Sequence, residues 1–209
     1  MIDFQQFLIF AFASFLLNIT PGNDMVFVAT YATNQGIKAG IWASLGIALG
    51  CIVHISAAVL GISAIIAQSA FLFDLIKYLG AAYLIYIGLK TIFSKADNFD
   101  IEKKNSAISN WGIIKQGIFT NILNPKVALF FLAFLPQFTT PQYQPVWLQI
   151  LILGIWFNIS GTLVNCAVAF AFGKASRFLK KYPNFTNWQN KFTGFILVGL
   201  GLRVAFMKK

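Results

Sequence analysis

Asn18-Ile19-Thr20-Pro21-Gly22-Asn23-Asp24 stands inside an apolar run that extends from Phe4 to Tyr31. A proline, a glycine and an acid in a run too apolar for a loop read as a helix that stops and restarts. Thr20 has the side chain of an N-cap. Pro21 suits a first helical turn, where its missing N–H would have no helical partner anyway. If the run crosses a bilayer, the restart turns backbone N–H groups and the positive end of a helix dipole into the membrane. A plain proline kink, common in membrane helices, is the alternative that this stretch alone leaves open.

The rest of the chain makes the bilayer the expected setting. Of 209 residues, 58% are hydrophobic, 16% aromatic and only 11% charged, and the mean hydropathy is +0.72. Soluble domains carry about a quarter charged residues. The net charge of +10 does not indicate nucleic acid, because the basic residues fall between apolar runs and are not interleaved with aromatics for stacking on bases. Cys51 and Cys166 lie within apolar runs and read as small packing residues, with no metal site or disulfide implied. Met1-Ile2-Asp3-Phe4 lacks the positive leader of a signal peptide, so the first run is expected to be retained as a span.

Six runs reach the roughly 20 residues that a transmembrane helix needs. They are Phe4–Tyr31, Ile41–Ala67, Leu72–Phe93, Ile113–Phe138, Val146–Phe172 and Trp188–Met207. The loops after the first, third and fifth hold or border Lys38; Lys90, Lys95, Lys103, Lys104 and Lys115; and Lys174, Arg177, Lys180, Lys181 and Lys191. The opposite side has Lys77, Arg203, Lys208 and Lys209. Positive charge collects on cytoplasmic loops, so both termini are expected outside. The polar stretch from Ser94 to Asn110 reads as a solvated connector. It divides one transmembrane domain, residues 1–209, into a first repeat of about 1–93, a cytoplasmic loop of about 94–112 and a second repeat of about 113–209.

The second half opens as the first does. Asn121-Ile122-Leu123-Asn124-Pro125-Lys126 supplies another N-cap candidate, Asn124, followed by another proline, Pro125. Gly201-Leu202-Arg203 also echoes Gly88-Leu89-Lys90. With three spans per half, the second half enters the membrane in the opposite sense. The expected fold is therefore all-α, with six transmembrane helices in two inverted three-helix repeats and broken first and fourth helices. Secondary transporters use this plan, with half-helix ends facing a substrate near the midplane.

Asp24 and Lys126 are the ionisable residues closest to the middle of any span, and each costs about 2.5–3.5 kcal/mol to insert there. A zwitterionic amino acid needs an anionic end for its ammonium and a cationic or N–H-rich end for its carboxylate. Asp24 answers the first; Lys126 and the half-helix N-termini answer the second. Thr20, Pro21, Gly22, Asn23, Asp24, Asn121, Asn124, Pro125 and Lys126 are thus the candidate substrate-binding residues. Asp24 is also the candidate proton carrier. A silent Asp24–Lys126 ion pair holding the halves together is the competing role for those two.

In the second span, Gly46 and Gly50 have the spacing of a close helix contact, and His54, the only histidine, follows on the same stripe. His54 is either a proton relay or a hydrogen-bonded packing residue. Asn158, Ser160 and Asn165 either line a path or bond across helices. Trp42, Trp111, Trp147 and Trp188 lie near span ends, where interfacial belts form.

These motifs together resemble the LysE/RhtB family of bacterial amino-acid exporters. Besides the two breaks, the resemblance rests on Gly36-Ile37-Lys38-Ala39-Gly40, Leu79-Gly80-Ala81-Ala82-Tyr83-Leu84 and Leu135-Pro136-Gln137-Phe138. It covers nearly the whole chain. The family usually has a second proline after Thr-Pro-Gly, where this chain has Asn23. The resemblance implies efflux of amino acids or their derivatives across the bacterial cytoplasmic membrane, driven by the proton motive force. The partners implied are a small-molecule substrate, protons and the lipid bilayer, with no cofactor, no metal and no nucleic acid; a homodimer is compatible with the sequence. An exporter of another small solute or cation, or a membrane scaffold that transports nothing, is the alternative. An intramembrane enzyme has little to work with, given one histidine and two separated cysteines.

Overall fold

The computed structural model describes residues 3–62, 70–93, 108–140 and 145–179, with 191, 194–195, 198–199, 201–202 and 205–206 of the C-terminal stretch. Every element among them is helical. They are α1 (Phe4–Ile19), α2 (Asn23–Gln35), α3 (Ile37–Ala57), α4 (Ala70–Phe93), α5 (Asn110–Ile122), α6 (Pro125–Leu129) and α7 (Val146–Leu179). A π-helical turn, Ala58–Ile62, extends α3. Another, Phe130–Phe134, extends α6 and passes into a 3-10 turn, Leu135–Phe138. Most of the polar connector, residues 63–69 and 141–144 and much of the sixth run lie outside the described residues.

Two helices, Ile37–Gly61 and Val146–Lys174, are long and apolar enough to cross a membrane. Two bent pairs pass the same test when each is taken together: α1 with α2, bent by 50°, and α5 with α6 and its extension, bent by 47°. The described residues therefore hold two to four candidate spans. The first and fourth runs are broken, as expected.

Both breaks have one local cause. A residue before proline is pushed out of the helical region by the proline ring. Thr20 accordingly has φ −68° and ψ 124°, and Asn124 has φ −77° and ψ 107°. The details differ from the reading of Thr20 as an N-cap. Thr20 closes α1: its N–H donates to the Leu16 and Leu17 carbonyls, and its Oγ1 donates to the Leu16 carbonyl at 2.8 Å. Pro21 lies between the helices, and Gly22, with no side chain to cap, begins α2. The second break follows the expected pattern, with Asn124 as N-cap accepting from the Lys126 N–H at 3.0 Å and Pro125 in the first turn.

The core divides at the breaks. One buried cluster joins Phe10, Ala13 and Leu17 of α1 to Val127, Phe130, Phe131 and Phe134 from α6 and its extension. The other joins Val28, Tyr31 and Ala32 of α2 to Ile113 of α5. Helices α3 and α7 contribute to both clusters. Since α1 packs with α6 and α2 with α5, the two bent runs lie head to tail. Asn18 to Asp24 and Asn121 to Lys126 fall between the clusters.

Close backbone approach sets the spacing of this bundle. A Cβ on Gly46 would stand 2.5 Å from the Ile114 carbonyl oxygen, and one on Gly50 would stand 2.7 Å from that of Ile118, so α3 lies directly on α5. Gly88 of α4 meets the Gly194 carbonyl, and Gly201 meets that of Ala81, which joins α4 to the C-terminal stretch. Gly36, at φ 87°, makes the tight turn from α2 to α3 that an L side chain rarely adopts. The outward face of α1 carries Phe4, Leu8, Phe12 and Phe15, all exposed. Apolar residues all round a helix suit a lipid surrounding.

Candidate functional site at the two helix breaks

The break in each run is answered by a side chain of the other. Lys126, in the first turn of α6, sends its ammonium across to the end of α1, where Nζ donates to the Leu17 carbonyl at 3.1 Å and the Thr20 carbonyl at 3.0 Å. These carbonyls lie at the end of α1, where helical N–H partners run out; Leu17 also accepts from the Thr20 N–H at 3.2 Å. The bare Cα of Gly22 makes room for this, since a Cβ there would lie 3.2 Å from Nζ. In the opposite direction, Asn121 of α5 donates its Nδ2 hydrogen to Asp24 Oδ2 at 2.8 Å. Asp24 lies in the first turn of α2, where a negative charge complements the helix dipole.

His54 of α3 completes the junction. Its Nε2 lies 3.0 Å from the Asn121 main-chain oxygen. A carbonyl only accepts, so Nε2 carries the proton in that bond. The ring stacks on Phe131, with centroids 6.0 Å apart and planes at 21°. No hydrogen bond joins His54 directly to Asp24 among the described residues. Asn121 thus serves both groups, one through its side chain and the other through its main chain.

The Asp24 carboxylate does not accept from Lys126. Oδ2 accepts from Asn121, and Oδ1, though buried, has no hydrogen-bond partner among the described residues. Asn121 Oδ1 and Asn124 Nδ2 are likewise buried without a partner there. Lys126 has three N–H groups and commits two, leaving one. The breaks therefore bring together two uncommitted acceptors, Asp24 Oδ1 and Asn121 Oδ1, and two uncommitted donors, Asn124 Nδ2 and one Lys126 N–H. Buried polar groups without a partner each cost about 1–3 kcal/mol, so such a concentration calls for an explanation.

Of the other sequence candidates, Thr20 is buried and acts through its carbonyl, while Pro21 and Gly22 are half-buried in the first break. Asn23 and Pro125 are exposed and enter none of these bonds. Asn158 and Ser160 bond across helices. Asn158 Nδ2 donates to the Ala48 carbonyl of α3 at 3.2 Å, and Ser160 Oγ accepts from Asn18 of α1 at 3.0 Å. Sequence reasoning did not single out Asn18 as a tie between α1 and α7, although its polarity so close to the break was the available signal. Nor did it single out Tyr31, whose hydroxyl donates to Gln116 Oε1 at 2.6 Å and fastens α2 to α5.

These elements define an all-helical membrane protein whose two broken helices exchange charged and amide side chains inside an apolar bundle. The chain belongs to the LysE type translocators, whose family model matches residues 15–208. It is 36% identical to the uncharacterized membrane protein YrhP of Bacillus subtilis (strain 168), over 91% of this chain and 93% of that one. It is 30% identical to a homoserine/homoserine lactone efflux protein of Salmonella typhimurium (97% and 98% covered) and 28% identical to a leucine efflux protein of an Enterobacter species (96% and 95% covered). No solved structure matches the chain.

Proposed function

We propose that this translocator exports amino acids or their derivatives by proton antiport, and that the two breaks hold the charged ends of the substrate. The observation that carries the reading is the set of buried, uncommitted atoms at the breaks. Asp24 Oδ1 and Asn121 Oδ1 accept from the ammonium; Asn124 Nδ2 and the third N–H of Lys126 donate to the carboxylate. Two free acceptors and two free donors match a zwitterion. A simple cation would leave the donors unused. Relatives named for efflux of homoserine, homoserine lactone and leucine support this class of substrate.

Proton coupling then follows from competition at Asp24. Ionised, the carboxylate holds the ammonium; protonated, it loses the charge that attracts it, and the substrate leaves. His54 acts on this step as a positioning residue, fixing Asn121 through its carbonyl and so fixing the amide that orients Asp24. The head-to-tail packing of the bent runs supports two inverted repeats of three spans, with both termini outside.

The test is counterflow into proteoliposomes preloaded with unlabelled amino acid, scanned over labelled amino acids with and without a pH gradient. Accumulation of at least one amino acid, faster with the gradient, is the expected result. Asp24→Asn should abolish the gradient-driven component while the protein still reaches the membrane. Equal gradient-driven transport by that variant would remove Asp24 from the mechanism. No movement of any amino acid by folded protein would return the scaffold or another solute.

A further inference from the structure

We infer that the substrates are amino acids with a large apolar side chain, and that this side chain occupies a cavity of about 270 Å³ between α3 and α6, just beyond His54. The inference rests on the placement of ammonium and carboxylate at the breaks proposed above. His54, Ala57 and Gly61 form one wall; Ala128, Phe131 and Leu132 form the other. Ala57, Ala58, Gly61 and Ala128 leave room between the larger His54, Phe131 and Leu132, and both helices widen there into π-turns, Ala58–Ile62 and Phe130–Phe134. Such turns often mark functional sites.

The cavity is joined to the breaks by a single residue. Asn121 presents its carbonyl to His54, which lines the cavity, and its side chain to Asp24, which lies at the break. In this inference a substrate whose ammonium meets Asp24 and Asn121 directs its side chain past His54 into the cavity. The lining decides what it accepts. A dry cavity of about 150 Å³ lined by apolar side chains holds a benzene ring, so this one has room for a branched aliphatic or aromatic group. Among the described residues no carboxylate lines it to receive a lysine or arginine side chain. A hydroxyl, as on homoserine or threonine, would find the imidazole as the sole polar side chain among the described lining residues. In a hydrophobic pocket each methylene is worth roughly 10-fold or more in selection.

The experiment is competition in the counterflow assay, with labelled leucine as substrate and unlabelled leucine, phenylalanine, alanine, homoserine and lysine as competitors. Leucine should compete at a concentration at least 10-fold below alanine, homoserine and lysine. Ala57→Leu fills the cavity and should reduce the leucine-to-alanine preference at least 10-fold; Ala57→Val should reduce it in part. The wild-type ranking needs no variant to fold, and the milder Val substitution covers a failure of the larger one. Homoserine or lysine competing as well as leucine would overturn the apolar pocket and leave amino-acid export standing. An unchanged preference in a folded Ala57→Leu protein would overturn the assignment of this cavity. No transport of any amino acid would overturn the export reading and this inference with it.

Discussion

Replacing Lys126 by methionine separates the two tasks assigned to its ammonium. Methionine keeps an unbranched chain of similar volume, so the apolar stem still packs. The loss is two hydrogen bonds, to the Leu17 carbonyl at 3.1 Å and the Thr20 carbonyl at 3.0 Å. Hydrogen bonds with one charged partner contribute about 1.5–3 kcal/mol each, or roughly 3–6 kcal/mol for the pair. Against that stands the cost of holding a lysine in mid-span, about 2.5–3.5 kcal/mol, which methionine does not carry. The second term offsets part or all of the first. The variant is expected to lose between about 0 and 3.5 kcal/mol and to remain folded. Transport is different if Lys126 holds the substrate carboxylate as proposed, because the carboxylate then loses a charged donor worth about 1.5–3 kcal/mol with no offset. At 1.4 kcal/mol per factor of ten, the half-saturating concentration should rise roughly 10- to 140-fold. Counterflow of labelled leucine over a concentration series reads this directly, with thermal unfolding of the detergent-solubilised protein as control. A half-saturating concentration within threefold of wild type, in folded protein, would refute the substrate contact and leave Lys126 as a tie between the breaks.

Three further substitutions probe the supports of the site. Gly22→Ala places a Cβ 3.2 Å from Lys126 Nζ and 3.5 Å from Cε, so the ammonium must shift by a few tenths of an ångström; transport should weaken in the same direction as in Lys126→Met, but less, in the same concentration series. Gly50→Ala puts a Cβ 2.7 Å from the Ile118 carbonyl oxygen and 2.9 Å from Asn121 Cβ, forcing α3 away from α5. Overpacking of this kind costs about 1–3 kcal/mol, which thermal unfolding should show as a lower melting temperature. Tyr31→Phe removes the 2.6 Å hydrogen bond to Gln116 and should cost about 1 kcal/mol in the same assay, with the half-saturating concentration for leucine changed less than twofold.

The breaks were legible in the sequence because proline acts on its neighbour wherever it falls. Thr20-Pro21 and Asn124-Pro125 each extend the residue before the ring, and the bends of 50° and 47° follow. The cap at Thr20 was misread because two local bonds compete for a threonine. Its hydroxyl can cap the helix that follows or bond back to a carbonyl of the helix that ends, and the second prevails through Leu16. Gly46 and Gly50 announced a close helix contact, but only the fold names α5 as the helix they meet. His54 is the deeper case. Its hydrogen bond to Asn121 spans 67 positions, a tertiary contact that no local pattern encodes. The cavity beside it was invisible for the same reason, since its walls of alanine, glycine and phenylalanine look like any other stretch of an apolar run.

The placement of charge explains why opposite ions can stand so near one another without pairing. A helix that stops inside an apolar bundle exposes a negative C-terminal end, and each such end here is met by a basic side chain. Lys126 reaches the carbonyls that close α1, and His54 reaches the Asn121 carbonyl at the end of α5. Lysine in the first turn of α6 would be poorly placed toward its own helix, but it acts on the end of another. Asp24, in the first turn of α2, is held by that helix dipole and by the Asn121 amide. Anion and cation are thus each stabilised separately. A direct ion pair would have to be broken, at the cost of leaving a buried charge uncompensated, before a zwitterion could enter. With the pair unmade, a substrate bound as proposed would add bonds to Asp24 and Lys126 instead of displacing one from the other.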